Sequence, residues 1–433
     1  MTENFDAVVI GAGAGGLFTA ARFQHAGLRT LVVERLDRVG GRASTHDIDG
    51  FKVNVGAIVI ERGGITEETF AEVGARFEVR EPKPPILYRI KGKDVDVSSG
   101  GWGLLLGKLT KQGAKLLGGL GAARTDDGLP DHEQTTADWL RKYTKNESVH
   151  GIFNNMIASI FAVTAEELPA RVFLTYMTRK SAFKRFGFCP EGTIGVWRAL
   201  AERIEELGGE IWLDAEAEGV EVADGLVRSV RVRRGGETVD VPCSVLVSDV
   251  GPAATVGLVG EEHLGEEHVR MVRERDRPCA MLAVNFASRE PLIKAQGMLS
   301  FAKTRRLCYV ANFTATCPEM APEGWNLYVA SSVPRPAVGP FDEEQEMALL
   351  LEDLHDEIEG FADARILSQV VRRDEWPPQR AVAGFDMPHT TPIPNLWNVG
   401  DGVKEYANGG TTACAETAKI VADQILTGDR VPA

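Results

Sequence analysis

The chain has 433 residues, 44% hydrophobic and 25% charged, with a formal net charge of −14. That length suggests two lobes, and that balance excludes long disorder. The acidic excess excludes a general nucleic-acid binder, and no run of 18 apolar residues is there to span a bilayer. No basic leader precedes the first strand, so the expectation is a cytoplasmic protein. The six cysteines form no C-x-x-C pair and have no histidine at zinc spacing, so they read as buried thiols and no metal site is expected.

Residues 6–10 (DAVVI) read as a buried parallel strand. Gly11, Gly13, Gly15 and Gly16 follow in the run GAGAGG. Residues 17–26 have helical character, Gly27 ends them, and 30–33 (TLVV) form a second strand that closes on Glu34. Gly11 permits the tight turn, Gly13 lets the backbone approach a pyrophosphate, and Gly16 lets the helix pack on the strands. The helix N-terminus offers free N–H groups to phosphates. Glu34 lies 18 residues after Gly16, placed to accept hydrogen bonds from ribose hydroxyls and to repel a 2′-phosphate, which disfavours NADP. Strand, glycines, helix, strand and acid in this order indicate a Rossmann-type dinucleotide-binding unit.

The next segment, residues 34–42, reads ERLDRVGGR. Gly40 and Gly41 let the chain pass close to a dinucleotide longer than NAD. Arg42 either adds a guanidinium near its pyrophosphate or is a plain surface residue. Here the chain resembles the flavin amine oxidase and phytoene desaturase superfamily, whose hallmark is a dinucleotide motif followed by ER-x-x-x-x-GGR. The resemblance implies noncovalent FAD, with Glu34, Arg35, Gly40, Gly41 and Arg42 among the residues that hold it. It implies an α/β fold: a Rossmann-type FAD-binding domain with a β-meander, plus a discontinuous α+β substrate domain. The family next carries an acid-x-Gly strand end. This chain has Asn54-Val55-Gly56-Ala57, with Asn54 where the family usually has Asp. The resemblance sets Gly56 and Ala57 beside the isoalloxazine ring.

Residues 86–188 read mainly helical, with candidates at 139–143, 149–161 and 171–179. Within them, 102–124 is apolar, glycine-rich and locally basic. It reads as an interfacial helix making peripheral membrane contact, as a lip over the active site, or as a surface helix. Arg179, Lys180, Lys184 and Arg185, with Phe183 and Phe186, either meet an anionic substrate or form a solvated face. Residues 190–195 (PEGTIG) lead into a helix over 196–207 and a strand at 210–213. Short strands at 227–232 and 239–242, and a return to the main sheet over 244–249, resemble the three-stranded meander of two-dinucleotide-motif flavoproteins. Ala217 stands where the family places a valine against adenine. Runs at 280–286 and 327–331 read as strands, and 343–358 as a helix. Residues 395–402 (NLWNVGDG) carry a strand into Gly400-Asp401, and 411–426 form a final helix. The resemblance implies that Gly400 and Asp401 meet the ribityl-phosphate part of FAD. It also aims the last helix at the flavin pyrimidine edge, through Gly409, Gly410, Thr411 and Thr412. The family often has Ser-Gly inside that helix; Glu416-Thr417 stands here. Lys404, Glu405 and Tyr406 either border the flavin or sit in a solvated loop.

The cofactor motifs lie at both ends and in the middle. The expected FAD-binding domain is therefore 1–85, 189–275 and 365–433, and the substrate domain with its helical cap is 86–188 and 276–364. The segments PEGT, GGEI and VSDVGP (247–252) resemble the phytoene desaturase and retinol saturase-like branch. That implies an oxidoreductase acting on C–C bonds of an apolar or partly apolar small molecule, desaturating or saturating it by hydride transfer to or from flavin N5. A flavin amine oxidase on the same fold is the alternative; it would need an aromatic cage and usually a water-positioning lysine. A noncatalytic flavin-binding protein is a third reading. No acid–base signature marks catalytic residues.

Overall fold

The computed structural model describes residues 4–96, 129–178 and 185–428. The readings of 102–124 and of Arg179, Lys180, Phe183 and Lys184 fall outside these residues. Two seven-stranded sheets organise the chain. The parallel part of the first is centred on Phe5–Ile10, with Thr30–Val33 on one side and the second half of Glu237–Ser248 on the other. Glu210–Trp212 and Leu396–Asn398 complete its two ends. Val8, Val9, Leu31 and Val32 are fully buried, as expected of β-branched strands covered on both faces. The helix Ala14–His25 packs between Ile194–Glu206 and Gly410–Thr427, so the first and last helices of the chain touch.

Ala215–Ala223, Leu226–Arg234 and the first half of Glu237–Ser248 form the antiparallel meander. Two separate strands were expected at 239–242 and 244–249; one bent strand takes both places. Pro242, opposite Ser229, ends the meander register, and from Cys243 the strand pairs with Phe5 instead. Proline has no N–H to continue the ladder, so the change of partner falls where the hydrogen bonding must break.

The second sheet runs in the order Arg365–Arg372, Met281–Ser288, Asn326–Ser332, Leu307–Asn312, Met298–Phe301, Ile86–Ile90, Lys93–Val95. Side chains alternate between its faces. Leu282, Val284, Phe286 and Tyr328 pack toward Leu350 and Leu354 of the helix Glu343–Glu357. Met281, Ala283, Tyr309 and Val329 turn the other way, toward Glu147–Phe161 and Ala170–Thr178. Two expectations shift. Residues 365–372, assigned above to the FAD-binding domain, are an edge strand of this second sheet, paired with Met281–Ser288. Residues 86–95, read within a mainly helical stretch, form a hairpin at the opposite edge. All six cysteines are buried and unpaired. Among the described residues no helix is long and apolar enough to cross a membrane.

Candidate functional site

The glycine run turns from strand into helix with Gly11 at φ 99°. A Cβ on Gly16 would overlap the Gly11 carbonyl oxygen, so the helix is seated directly on the loop. Three glycines then converge on one acid. A Cβ on Gly13 would lie 2.5 Å from Asp249 Oδ2, one on Gly400 would lie 2.5 Å from Asp249 Oδ1, and one on Gly15 would meet the same carboxylate. Burial pushes the Asp249 carboxyl up to about 7, against the pull of the Gly16 N–H and of Arg42. At the end of the second strand, Glu34 accepts hydrogen bonds from the N–H groups of Ala12 (2.7 Å) and Leu36 (2.9 Å). Burial raises its pKa against both of them.

The GGR turn is held by packing. Gly40 has φ 92°, and a Cβ there would stand 2.7 Å from Trp197 Cδ1. The indole itself donates to the Ala43 carbonyl at 2.8 Å. Arg42 was expected to present a guanidinium to a pyrophosphate or to lie on the surface; it instead makes a bidentate pair with Asp401, at 2.9 and 2.5 Å, and donates to the Pro377 carbonyl. Burial alone would depress Arg42, but Asp401 raises it; burial likewise opposes ionisation of Asp401, yet Arg42 and Arg380 hold its carboxyl below the usual range. The Arg380 backbone N–H also donates to Asp401 at 2.9 Å. Thr417 uses its hydroxyl to accept the Gly400 N–H at 2.9 Å. Asn54 holds local structure together: its Oδ1 accepts from the Thr45 hydroxyl at 2.9 Å and the Thr193 N–H at 3.0 Å. The reading of Lys404 as a solvated loop residue is overturned. Its buried ammonium donates to the carbonyls of Ala381 (2.7 Å) and Asp401 (2.9 Å) and pairs with Asp386 at 2.9 Å.

These elements surround one cavity of about 820 Å³. Gly11, Gly13, Glu34, Arg35 and Ala217 line one part of it; Gly40, Gly41, Arg42, Gly56, Ala57 and Asp401 line the middle; Gly410, Thr411 and Thr412 bring in the start of the last helix. Gly15, Gly16 and Gly400 are not in the wall but directly behind it, where they allow Asp249 and the loop to approach. Beyond the glycine loops the cavity becomes apolar, with Met156, Ile160, Met177, Met281, Met298 and Val329. Among the described residues four buried polar atoms in its wall have no hydrogen-bond partner: Glu61 Oε2, Arg372 Nε, Gln379 Oε1 and Arg380 Nε. Buried polar groups are normally satisfied. A chamber lined by the Glu34 carboxylate, a glycine cradle, the orphaned Arg380 guanidinium nitrogen and a helix N-terminus fits FAD.

Several charged wall residues were not singled out from the sequence, Asp249, Glu61 and Arg380 among them. Asp249 lay inside the VSDVGP segment, but nothing in that segment announced its contact with the glycine loop. Glu61 follows an ordinary apolar run; burial, then the nearby Glu416, pushes it up to about 7. Arg380 is brought in by the chain after Trp376-Pro377-Pro378, and burial followed by repulsion from Arg42 lowers it to about 10.

A family model described as flavin containing amine oxidoreductase matches residues 14–426. A lycopene-forming phytoene desaturase of Pseudescherichia vulneris is 25% identical over 424 residues, covering 86% of this chain and 85% of that protein. The crystal structure of an oxidoreductase from Methanosarcina mazei superposes with a TM-score of 0.83 at 26% identity, covering 96% of this chain and 99% of the other. Wild-type putrescine oxidase bound to putrescine shares the fold, with a TM-score of 0.68 at 16% identity over 99% of this chain and 100% of the other.

Proposed function

The chain belongs to the flavin-containing amine oxidoreductase family and is an FAD-dependent oxidoreductase; from that premise we propose that it forms or removes a C–C double bond in a largely apolar small molecule. One observation carries this reading: the apolar extension of the chamber, dominated by four methionines beside the cofactor loops. Methionine is unbranched and polarisable, and it adapts to long apolar ligands. The similarity to a phytoene desaturase supports the same substrate class.

The residues would divide the work as follows. Glu34 and Ala217 would hold the adenosine end, the Gly13 loop the pyrophosphate, Arg42 and Asp401 the ribityl-phosphate region, and the Thr411–Thr412 N–H groups the pyrimidine edge. Bound FAD supplies hydride acceptance or donation at its ring. Desaturation removes a proton as well as a hydride, and the protein must take that proton. Among the described wall residues Glu61 is a carboxylate suited to do so. Its Oε2 is unpaired, and its titration near 7 leaves both protonation states populated at neutral pH. The methionine wall would exclude water from the reacting bond.

Amine oxidation on the same fold is favoured by one feature, the same Glu61, which could pair with a substrate ammonium. No lysine lines the described cavity to position water. The test is to purify the protein, release the chromophore by heat and identify it. The holoprotein is then mixed anaerobically with a polyene, its saturated counterpart and a panel of primary amines. Flavin bleaching by a saturated carbon chain, or reoxidation of reduced protein by a polyene, supports the C–C reading. Bleaching by amines alone replaces it with the amine reading.

A further inference from the structure

The apolar part of the chamber is not apolar throughout. Register in the second sheet sets Ala283 opposite Ser331, Ser331 opposite Tyr309, Tyr309 opposite Ser300, and Ser300 opposite Tyr88. All five line the cavity. A band of four hydroxyl residues therefore crosses its roof. Arg372 lies at the edge of the same sheet, in register with Met281, which also faces the cavity.

Arg372 differs from Arg35 and Arg42. Arg35 and Arg42 line the cavity too, and each has a carboxylate, Glu375 and Asp401. Among the described residues Arg372 has no acidic partner, and its Nε makes no hydrogen bond. Burial depresses its pKa with nothing to oppose it. A guanidinium is a planar fork that pairs bidentately with a carboxylate. Leaving one partly buried and unpaired is costly unless a ligand completes it.

We propose that Arg372 anchors the carboxylate of a substrate whose remaining chain is apolar, so that the ligand class is a long-chain carboxylic acid rather than a neutral hydrocarbon. This rests on the reading of the methionine-lined extension as the substrate chamber. The carboxylate pairs with the Arg372 fork at the sheet edge. The chain then runs past Met281 and Met298, and the hydroxyl band accommodates a polar substituent or an ordered water along it.

The test uses the FAD-loaded protein with decanoate and methyl decanoate, read by calorimetry and by perturbation of the flavin absorbance. The acid is expected to bind about tenfold to a hundredfold more tightly than the ester, as a charged hydrogen-bonded pair implies. Arg372→Gln is expected to erase that preference while leaving ester affinity and FAD content unchanged; Arg372→Lys is expected to restore part of it. Equal affinity for acid and ester in the unsubstituted protein overturns the proposal. So does loss of FAD from Arg372→Gln, which would assign the guanidinium to the cofactor. Acid-selective binding without turnover would keep the anchor and defeat the C–C reading; turnover of a neutral polyene without acid selectivity would do the reverse.

Discussion

Asp249→Asn is the substitution whose outcome the geometry fixes most tightly. In the structure the Asp249 carboxylate fills the space that side chains on Gly13, Gly15 and Gly400 would occupy. A pyrophosphate on the glycine loop therefore comes to rest beside it, and two like charges in one desolvated cradle repel. The carboxyl titrates at about 7 in the free protein, raised mainly by burial, and a neighbouring phosphate raises it further. FAD thus binds best to the protonated acid. Below pH 7 that form already dominates and affinity is flat. Above pH 7 each bound cofactor must take up a proton, and affinity falls by about tenfold per pH unit, or ~1.4 kcal/mol. From the low-pH plateau to pH 9 the loss reaches about a hundredfold, ~2.7 kcal/mol. Asparagine has nearly the same shape and no charge, so the variant should keep the low-pH affinity across the range. The assay is titration of apoprotein with FAD, followed by flavin fluorescence at pH 6, 7, 8 and 9 at constant ionic strength. A flat profile for the unsubstituted protein, or the same slope in Asp249→Asn, refutes the reasoning.

Gly13→Val places its branches where Asp249 Oδ2 already stands 2.5 Å from the ideal Cβ; flavin content of the purified variant should fall below about a tenth of normal, while circular dichroism shows the sheets intact. Arg42→Met leaves Asp401 buried without its bidentate partner and should cost about 3 kcal/mol in chemical denaturation, much of it recovered in the Arg42→Met, Asp401→Asn double variant. Because Asp401 is held below its usual range when folded, the pair's stabilisation is complete above about pH 4 and is lost as pH falls below that, so the stability difference between the unsubstituted protein and the double variant, read from unfolding curves, should shrink from pH 7 to pH 3. Glu61→Gln should remove the limb of the turnover–pH profile near pH 7 and leave FAD content unchanged; a retained limb would assign that titration to another group.

The nucleotide end of the site was legible because its chemistry is local. Glycine spacing, a strand before, a helix after and an acid at the second strand end all sit within residues 5–34, and the structure assembles them in that order. Short motifs singled out Gly40, Gly41, Gly56 and Asp401, and the structure sets all four in the cavity wall. What was not legible depends on long-range register. Nothing in residues 365–372 (RILSQVVR) says that they pair with Met281–Ser288 rather than with the first sheet; a run with no fully buried position suits an edge strand of either. The engagement of Arg42 with Asp401 spans almost the whole chain. Lys404 looked like a loop cation because its partners Ala381 and Asp386 lie on a different segment of chain. Asp249, Glu61 and Arg372 gain their character from burial, which sequence spacing does not encode at single charged positions.

The order of strands in the first sheet also governs how the protein can be made. Phe5–Ile10 has as its neighbour on one side Glu237–Ser248, far along the chain, and the helix Gly410–Thr427, whose start lines the chamber, lies further along still. Loop closure over such distances is slow. Until both have joined, the unit of Phe5–Val33 keeps one apolar strand edge uncovered, and the part of the chamber wall that Gly410, Thr411 and Thr412 supply is missing.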